Sequence, residues 1–202
     1  MKITYIGELC AETSLKTSVN VFMRGTVAEL MAVSAGIIVK GAKAKDPNGT
    51  VQREVVQDSK TGYNVYVHHN YSKVQGGFVA LLMADEEYPA RVAHQLLNKV
   101  AEEFIVKNPK KTWENATTPT TLPFPELATY IETWQDPNKA DALTKIQKEL
   151  DETKIVLHKT IESVLERGEK IDDLVAKSDT LSASSKLFYS QAKKQNSCCV
   201  VM

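Results

Sequence analysis

The sequence predicts an α+β domain followed by a long helix of different patterning. Three observations carry this reading. Strand-like alternation broken by turn residues recurs through the first half of the chain. Two helical stripes are set among those strands. From residue 140 to 195 proline disappears, Gly168 is the single glycine, and apolar residues recur every three or four positions.

The elements follow in order. Met1 to Leu9 and the stretch around Val19-Asn20-Val21-Phe22 carry strand-like alternation. Val27, Leu30, Met31, Ser34, Ile37 and Ile38 fall at helical spacing and make one apolar face. Gly41 and Asp46-Pro47-Asn48-Gly49 end that helix and turn the chain. Val51 to Val56 alternates, Asp58-Ser59-Lys60-Thr61-Gly62 is turn chemistry, and Tyr63, Val65 and Val67 alternate again, so a hairpin is expected. Gly76-Gly77 precedes Phe78-Val79-Ala80-Leu81-Leu82-Met83, a continuous apolar run suited to a strand buried on both faces. Asp85-Glu86-Glu87-Tyr88-Pro89 opens a second helix, with Val92, Leu96, Val100 and Phe104 as its buried stripe. The order is β-β-α-β-β-β-α. Lys110 to Pro125, rich in Thr and Pro, is a connector. Pro125 to Trp134 predicts a short helix with Leu127, Ile131 and Trp134 on one side, ended by Asp136-Pro137-Asn138.

In the last third the seam runs Leu143, Ile146, Leu150, Thr153, Leu157, Thr160, Val164, Arg167, Ile171, Leu174, Ser178, Leu181, Ser185, Phe188, Ala192 and Gln195. Sliding the template by one residue either way collects few apolar positions, so the phase is well determined and the segment reads as one strand of a coiled coil. A continuous helix of this length would be a rod roughly 80 Å long. The seam is poor in large residues and carries Thr153, Thr160, Ser178 and Ser185, so alone it buries little. The free segment is expected to be disordered or to borrow another surface.

Arg167 interrupts the stripe with a cation. A guanidinium has five donors and no acceptor, and unpaired burial costs several kcal/mol. Heptads run unbroken on both sides, which argues against a skip that would let it snorkel outward. Neutral carbonyls such as glutamine amides, presented at one level by other helices, would satisfy it. A homomer would stack like charges, so a heteromeric bundle is expected, its register fixed by one polar layer.

Charge and composition exclude other classes. The 202 residues hold 25 Lys and Arg against 25 Asp and Glu, which argues against nucleic acid as the partner. No window suits a transmembrane helix, and Met1-Lys2-Ile3-Thr4-Tyr5-Ile6-Gly7 lacks the features of a signal peptide. The protein is therefore expected in the cytosol until its tail is lipidated. Triplets of glycosylation type at Asn48, Asn70 and Asn115 then have no consequence. Cys10 is a small packing residue. His68 and His69 point to opposite faces of a strand; His94 and His158 are expected on separate helices, and all four read as ordinary. No metal site, cofactor site or catalytic constellation is expected.

Cys199-Val200-Val201-Met202 fits the C-a-a-X prenylation signal, with Met favouring a farnesyl group and Cys198 available for a second, acyl chain. One chain anchors only marginally, each buried methylene contributing about 0.8 kcal/mol, so two lipids of which one is removable give switchable attachment.

The stretch Leu150-Asp151-Glu152-Thr153-Lys154-Ile155-Val156-Leu157, together with Leu165-Glu166-Arg167-Gly168-Glu169-Lys170-Ile171-Asp172-Asp173-Leu174-Val175, resembles the SNARE motif of the arginine (R) class. The Cys198-Cys199 doublet and Glu87-Tyr88-Pro89-Ala90-Arg91-Val92-Ala93 narrow the resemblance to longin-domain R-SNAREs held by prenylation and palmitoylation. It covers most of the chain, strongest after residue 139 and weakest over residues 8–60. It implies a longin (profilin-like) domain over 1–135, a five-stranded antiparallel sheet flanked by helices; a helical SNARE coiled-coil segment over 138–197; and a lipidation tail over 198–202. Arg167 would be the ionic-layer residue, meeting glutamines from three Q-SNARE helices. The coiled-coil core would be Leu143, Ile146, Leu150, Leu157, Val164, Ile171, Leu174, Leu181 and Phe188. Cys199 would be farnesylated and Cys198 palmitoylated. The longin domain would fold back on the SNARE segment, with Val27, Leu30, Met31 and Val33 as candidate contacts; Val33 stands where the family usually carries a bulkier aromatic. The implied function is docking and fusion of intracellular vesicles, at the cytosolic face of Golgi, endosomal or vacuolar membranes.

Two other classes share some of these features. A longin-type trafficking adaptor would not need the heptad strand with Arg167. A prenylated small GTPase is suggested by the tail and by Asn138-Lys139-Ala140-Asp141, but no G-x-x-x-x-G-K-[ST] loop exists to cradle phosphates.

Overall fold

The computed structural model describes residues 3–9, 16–20, 33, 37–38, 53–58, 62–70, 78–109, 111, 122, 124–137, 155–165, 168–179 and 181–197. Five strands arise from the first half: β1 (Ile3–Leu9), β2 (Lys16–Asn20), β3 (Arg53–Asp58), β4 (Tyr63–Asn70) and β5 (Phe78–Asp85). All neighbouring pairs among them are antiparallel, and the spatial order is β2-β1-β5-β4-β3. This is the expected five-stranded antiparallel sheet. The β3–β4 hairpin forms as expected, with Asp58 opposite Tyr63. Its turn ends on Gly62 at φ +72°, a conformation that costs glycine nothing.

The apolar run of β5 lies in the middle of the sheet, between β1 and β4. Alternate residues enter two separate cores. Phe78, Ala80, Leu82 and Ala84 pack with the helices α1 (Ala90–Lys107) and α2 (Glu126–Thr133). Val79, Leu81 and Met83 point to the other face. Burial on both sides is the physical reason this strand is apolar throughout.

On the first face α1 buries Val92, Leu96, Val100 and Phe104, the expected stripe, widened by Ala93, Leu97 and Ala101. Pro89 caps α1; Asp85 ends β5, and Glu86 and Glu87 fall in the turn that precedes the helix, not in its first turn. In α2, Leu127 and Ile131 are buried, and Trp134 follows them into the same core. Polar side chains close this face. Tyr66 donates to the Tyr88 carbonyl at 2.6 Å, and Tyr88 donates to the Trp134 carbonyl at 2.9 Å. Gln135 bonds both backbone groups of Ile3, at 3.1 and 2.9 Å, acting as a short substitute strand beside β1.

The C-terminal third departs from the continuous helix that its heptads suggest. Ile155–His158 forms β6, a sixth strand added parallel to β3. A 3-10 turn over Ile161–Val164 follows, then α3 (Ile171–Lys177) and α4 (Ala183–Ser197). Helical content is therefore present, but as separate pieces. His158 sits on a strand, not on a helix. The reason is the missing partners: a lone seam of small residues cannot bury itself, whereas β3 offers an unpaired edge and Ile155-Val156 are β-branched. The seam borrows the sheet.

Candidate functional site: the face where the C-terminal segment meets the sheet

The second face of the sheet is built from Val56 on β3, Val65 and Val67 on β4, and Val79, Leu81 and Met83 on β5. Strand alternation puts all six on one side. Ile38, a helical residue with no exposed surface, packs on them, and so does Val164 from the C-terminal segment, with Ile161 beside it. Val164 is 0 % exposed. Complete burial of a valine contributes about 1.5–3 kcal/mol.

The backbone reinforces that contact. In the parallel register Arg53, Glu54, Val55 and Val56 lie beside Ile155, Val156, Leu157 and His158. The 3-10 turn is held locally by Thr160, whose side chain accepts from the Ser163 amide at 3.2 Å. Gly168, at φ +96°, lies between this turn and α3. Tyr189 on α4 donates to Asp172 on α3 at 3.0 Å, and Lys186 donates to the Ala176 carbonyl at 2.9 Å. Burial and the Asp172 partner push the Tyr189 hydroxyl up to about 12.

A polar cluster lies at the β3–β6 junction. Glu54 is only 4 % exposed. One of its carboxylate oxygens lies 3.5 Å from His69 Nε2 and the other 3.3 Å from His158 Nε2. Sequence reading missed this trio because its members are far apart in the chain and His158 was assigned to a helix. The opposite face of the same strands holds a second set. Arg53 and His68 are cross-strand partners, and His94 on α1 stands edge-on to Tyr66 at 5.8 Å. Burial, with Arg53 next, lowers His68 to about 4 and His94 to about 3. His68 and His69 thus face different environments, as strand alternation requires.

The expected core positions fall into three groups. Val164 and Leu181 are buried and Ile171 and Leu174 half-buried. Leu157 and Phe188 are 56 % and 44 % exposed. Leu143, Ile146 and Leu150 lie outside the described residues, as do Arg167, Cys198 and Cys199. Of the candidate closure contacts, Val33 is helical and half-buried, while Val27, Leu30 and Met31 also lie outside. The helical residue seen against the C-terminal segment's cluster is Ile38. Among the described residues no group of three or more His, Cys, Asp or Glu side chains is placed to hold a metal ion, and no helix is long and apolar enough to cross a membrane.

Residues 15–131 match the longin family, described as a regulated-SNARE-like domain, and residues 142–200 match the synaptobrevin family. The chain belongs to the longin-domain synaptobrevins. It is 46 % identical to the synaptobrevin homolog ykt6 of Schizosaccharomyces pombe over 193 residues, covering 96 % of this chain and 90 % of the relative. It is also 46 % identical to the synaptobrevin homolog YKT6 of Yarrowia lipolytica, with both chains covered completely. The homolog of Saccharomyces cerevisiae is 46 % identical over 182 residues, 90 % of this chain and 85 % of that one. The boundary between the two matched regions separates the domain that supplies the sheet from the segment that supplies β6 and Val164.

Proposed function

We propose that this protein is an R-SNARE of vesicle docking and fusion whose C-terminal segment exchanges between the longin sheet and a four-helix bundle with Q-SNAREs. The family supports the R-SNARE role. The observation that carries the exchange is Val164: a seam residue of the coiled coil is wholly buried against the sheet. One side chain cannot fill both cores at once, so closure and assembly compete. In the bundle Arg167 occupies the ionic layer, its guanidinium donating to three glutamine carbonyls. Membrane attachment runs through farnesyl at Cys199 and palmitoyl at Cys198, on the cytosolic face of Golgi, endosomal or vacuolar membranes. Neither an enzyme activity nor a cofactor enters this reading.

Mixing the full chain with three Q-SNARE helices yields a heat-stable four-helix complex, and Arg167→Ala assembles with loosened choice among Q-SNARE partners. Failure to form any such complex favours a longin-type adaptor without fusion activity. For the tail, Cys199→Ser abolishes stable membrane association in cell fractionation, while Cys198→Ser leaves weak, exchanging attachment. Both variants fully membrane-bound would contradict the lipid assignment.

A further inference from the structure

Gly168 is the single glycine between residues 140 and 195, and it directly follows Arg167. In a bundle it would stand in the interior of one continuous helix. Glycine suits that place badly, lowering helix stability by roughly a factor of five relative to alanine. The closed chain gives the residue a different task. Gly168 is exposed and has φ +96°, whereas a helix needs φ near −63°. On one side Leu165 is extended, with Val164 and Leu165 buried. On the other side Lys170 is extended and α3 begins at Ile171. Leu165 and Lys170 both have negative φ, so each can become helical by rotating ψ within the regions open to any L residue. Gly168 must change the sign of φ. No heavy atom beyond its chain neighbours lies within 4 Å of where a Cβ would sit. Free space is therefore not what selects glycine here; the backbone conformation is. Gly62, also at positive φ, serves a hairpin inside the sheet, which the exchange leaves in place.

We propose that Gly168 is the hinge of the exchange, and that the absence of a side chain there biases the SNARE segment toward closure. The hinge rests on the exchange between sheet and bundle proposed above. Two effects act in the same direction. In the closed chain an L side chain at positive φ crowds the following carbonyl, a strain glycine escapes. In the bundle a side chain would reduce the freedom lost on becoming helical, a gain glycine forgoes. Glycine thus stabilises the first state and weakens the second. The position is also well placed to act. It separates Val164, which fills the sheet's second face, from α3 and α4, which pack on each other through Tyr189 and Asp172. Zippering through the Arg167 layer requires this one backbone angle to reverse.

The test places L-alanine and D-alanine in turn at position 168 of the full chain, the second by segment ligation. The two variants carry the same atoms and differ only in handedness. Amide hydrogen exchange reads them, with peptides over 155–164 reporting closure and peptides over β5 reporting the fold. Gly168→Ala raises the opening constant of 155–164 about tenfold, the effect of one L residue held at positive φ, and leaves β5 unchanged. Its assembly with three Q-SNARE helices is faster, and the assembled bundle dissociates about fivefold more slowly. D-alanine, whose handedness favours positive φ, keeps 155–164 at least as protected as in the wild type and makes the bundle dissociate faster. Equal opening by the two isomers, or protection unchanged in Gly168→Ala, would overturn the hinge while leaving the exchange in place. Wild-type peptides over 155–164 exchanging without protection would overturn the closed reading itself, and the hinge with it.

Discussion

The two faces of the sheet are covered in different ways. The face under α1 and α2 is rich in aromatic residues: Tyr66, Phe78, Tyr88, Phe104, Phe124, Tyr130 and Trp134 share one core. Their rings meet in tilted and edge-on pairs, Phe78 with Phe104 at 5.5 Å and Phe104 with Phe124 at 5.9 Å. Tyrosine hydroxyls and Gln135 tie the layers together. The other face is aliphatic, made of Val, Leu, Ile and Met, and one of its components arrives from the C-terminal segment. A permanent core benefits from large rings and specific geometry. A releasable one needs modest, non-directional burial, small enough for a competing partner to overcome. The sequence of β5 writes both, on alternate residues.

The contrast can be broken most severely from the aromatic side. Phe104→Ala opens a cavity among rings and costs about 3–5 kcal/mol, read by chemical denaturation as a large loss of longin-domain stability. A change confined to the C-terminal segment, with β1–β5 unaffected, would contradict the division. Acid gives the next largest effect on the same face. His68 and His94 are held neutral, so their contribution to stability is full above about pH 6.5 and is lost as pH falls toward their lowered values of about 4 and about 3. Each contributes a loss of about 2 kcal/mol at pH 5. Thermal melts at pH 7.5 and 5 show the drop, and His94→Phe reduces it. A smaller effect sharpens the aliphatic side. Val164→Ala removes two methyl groups and weakens closure by about 1.5 kcal/mol, seen as faster assembly with Q-SNARE helices, while the melting of the longin domain stays where it was.

Much of the architecture was readable from local pattern. The five strands, the β3–β4 hairpin, the stripe of α1 and the inward side of α2 each follow from alternation or helical spacing, because each is decided by neighbours in sequence. What escaped was decided at long range. Ile155-Val156-Leu157-His158 satisfies the heptad and also satisfies a strand, and only the presence of an open β3 edge chooses between them. Leu157, an expected core position of the coiled coil, is therefore exposed where the segment runs as β6. Of the expected closure contacts Val27, Leu30 and Met31 lie outside the described residues; Ile38, farther along the same apolar stripe, is a described helical residue in the cluster that holds Val164. The Glu54 trio could not be assembled from spacing at all, since it needs the parallel β3–β6 register to bring His158 alongside.

The competition for Val164 is tested most directly by a distance. Spin labels placed at Glu87, beside α1, and Glu162, beside Val164, are both on exposed positions. The free full chain gives one narrow distance between them, and adding three Q-SNARE helices replaces it with a longer, broader one as the segment leaves the sheet. An assembled bundle in which the original distance persists would contradict the exchange of one segment between two cores.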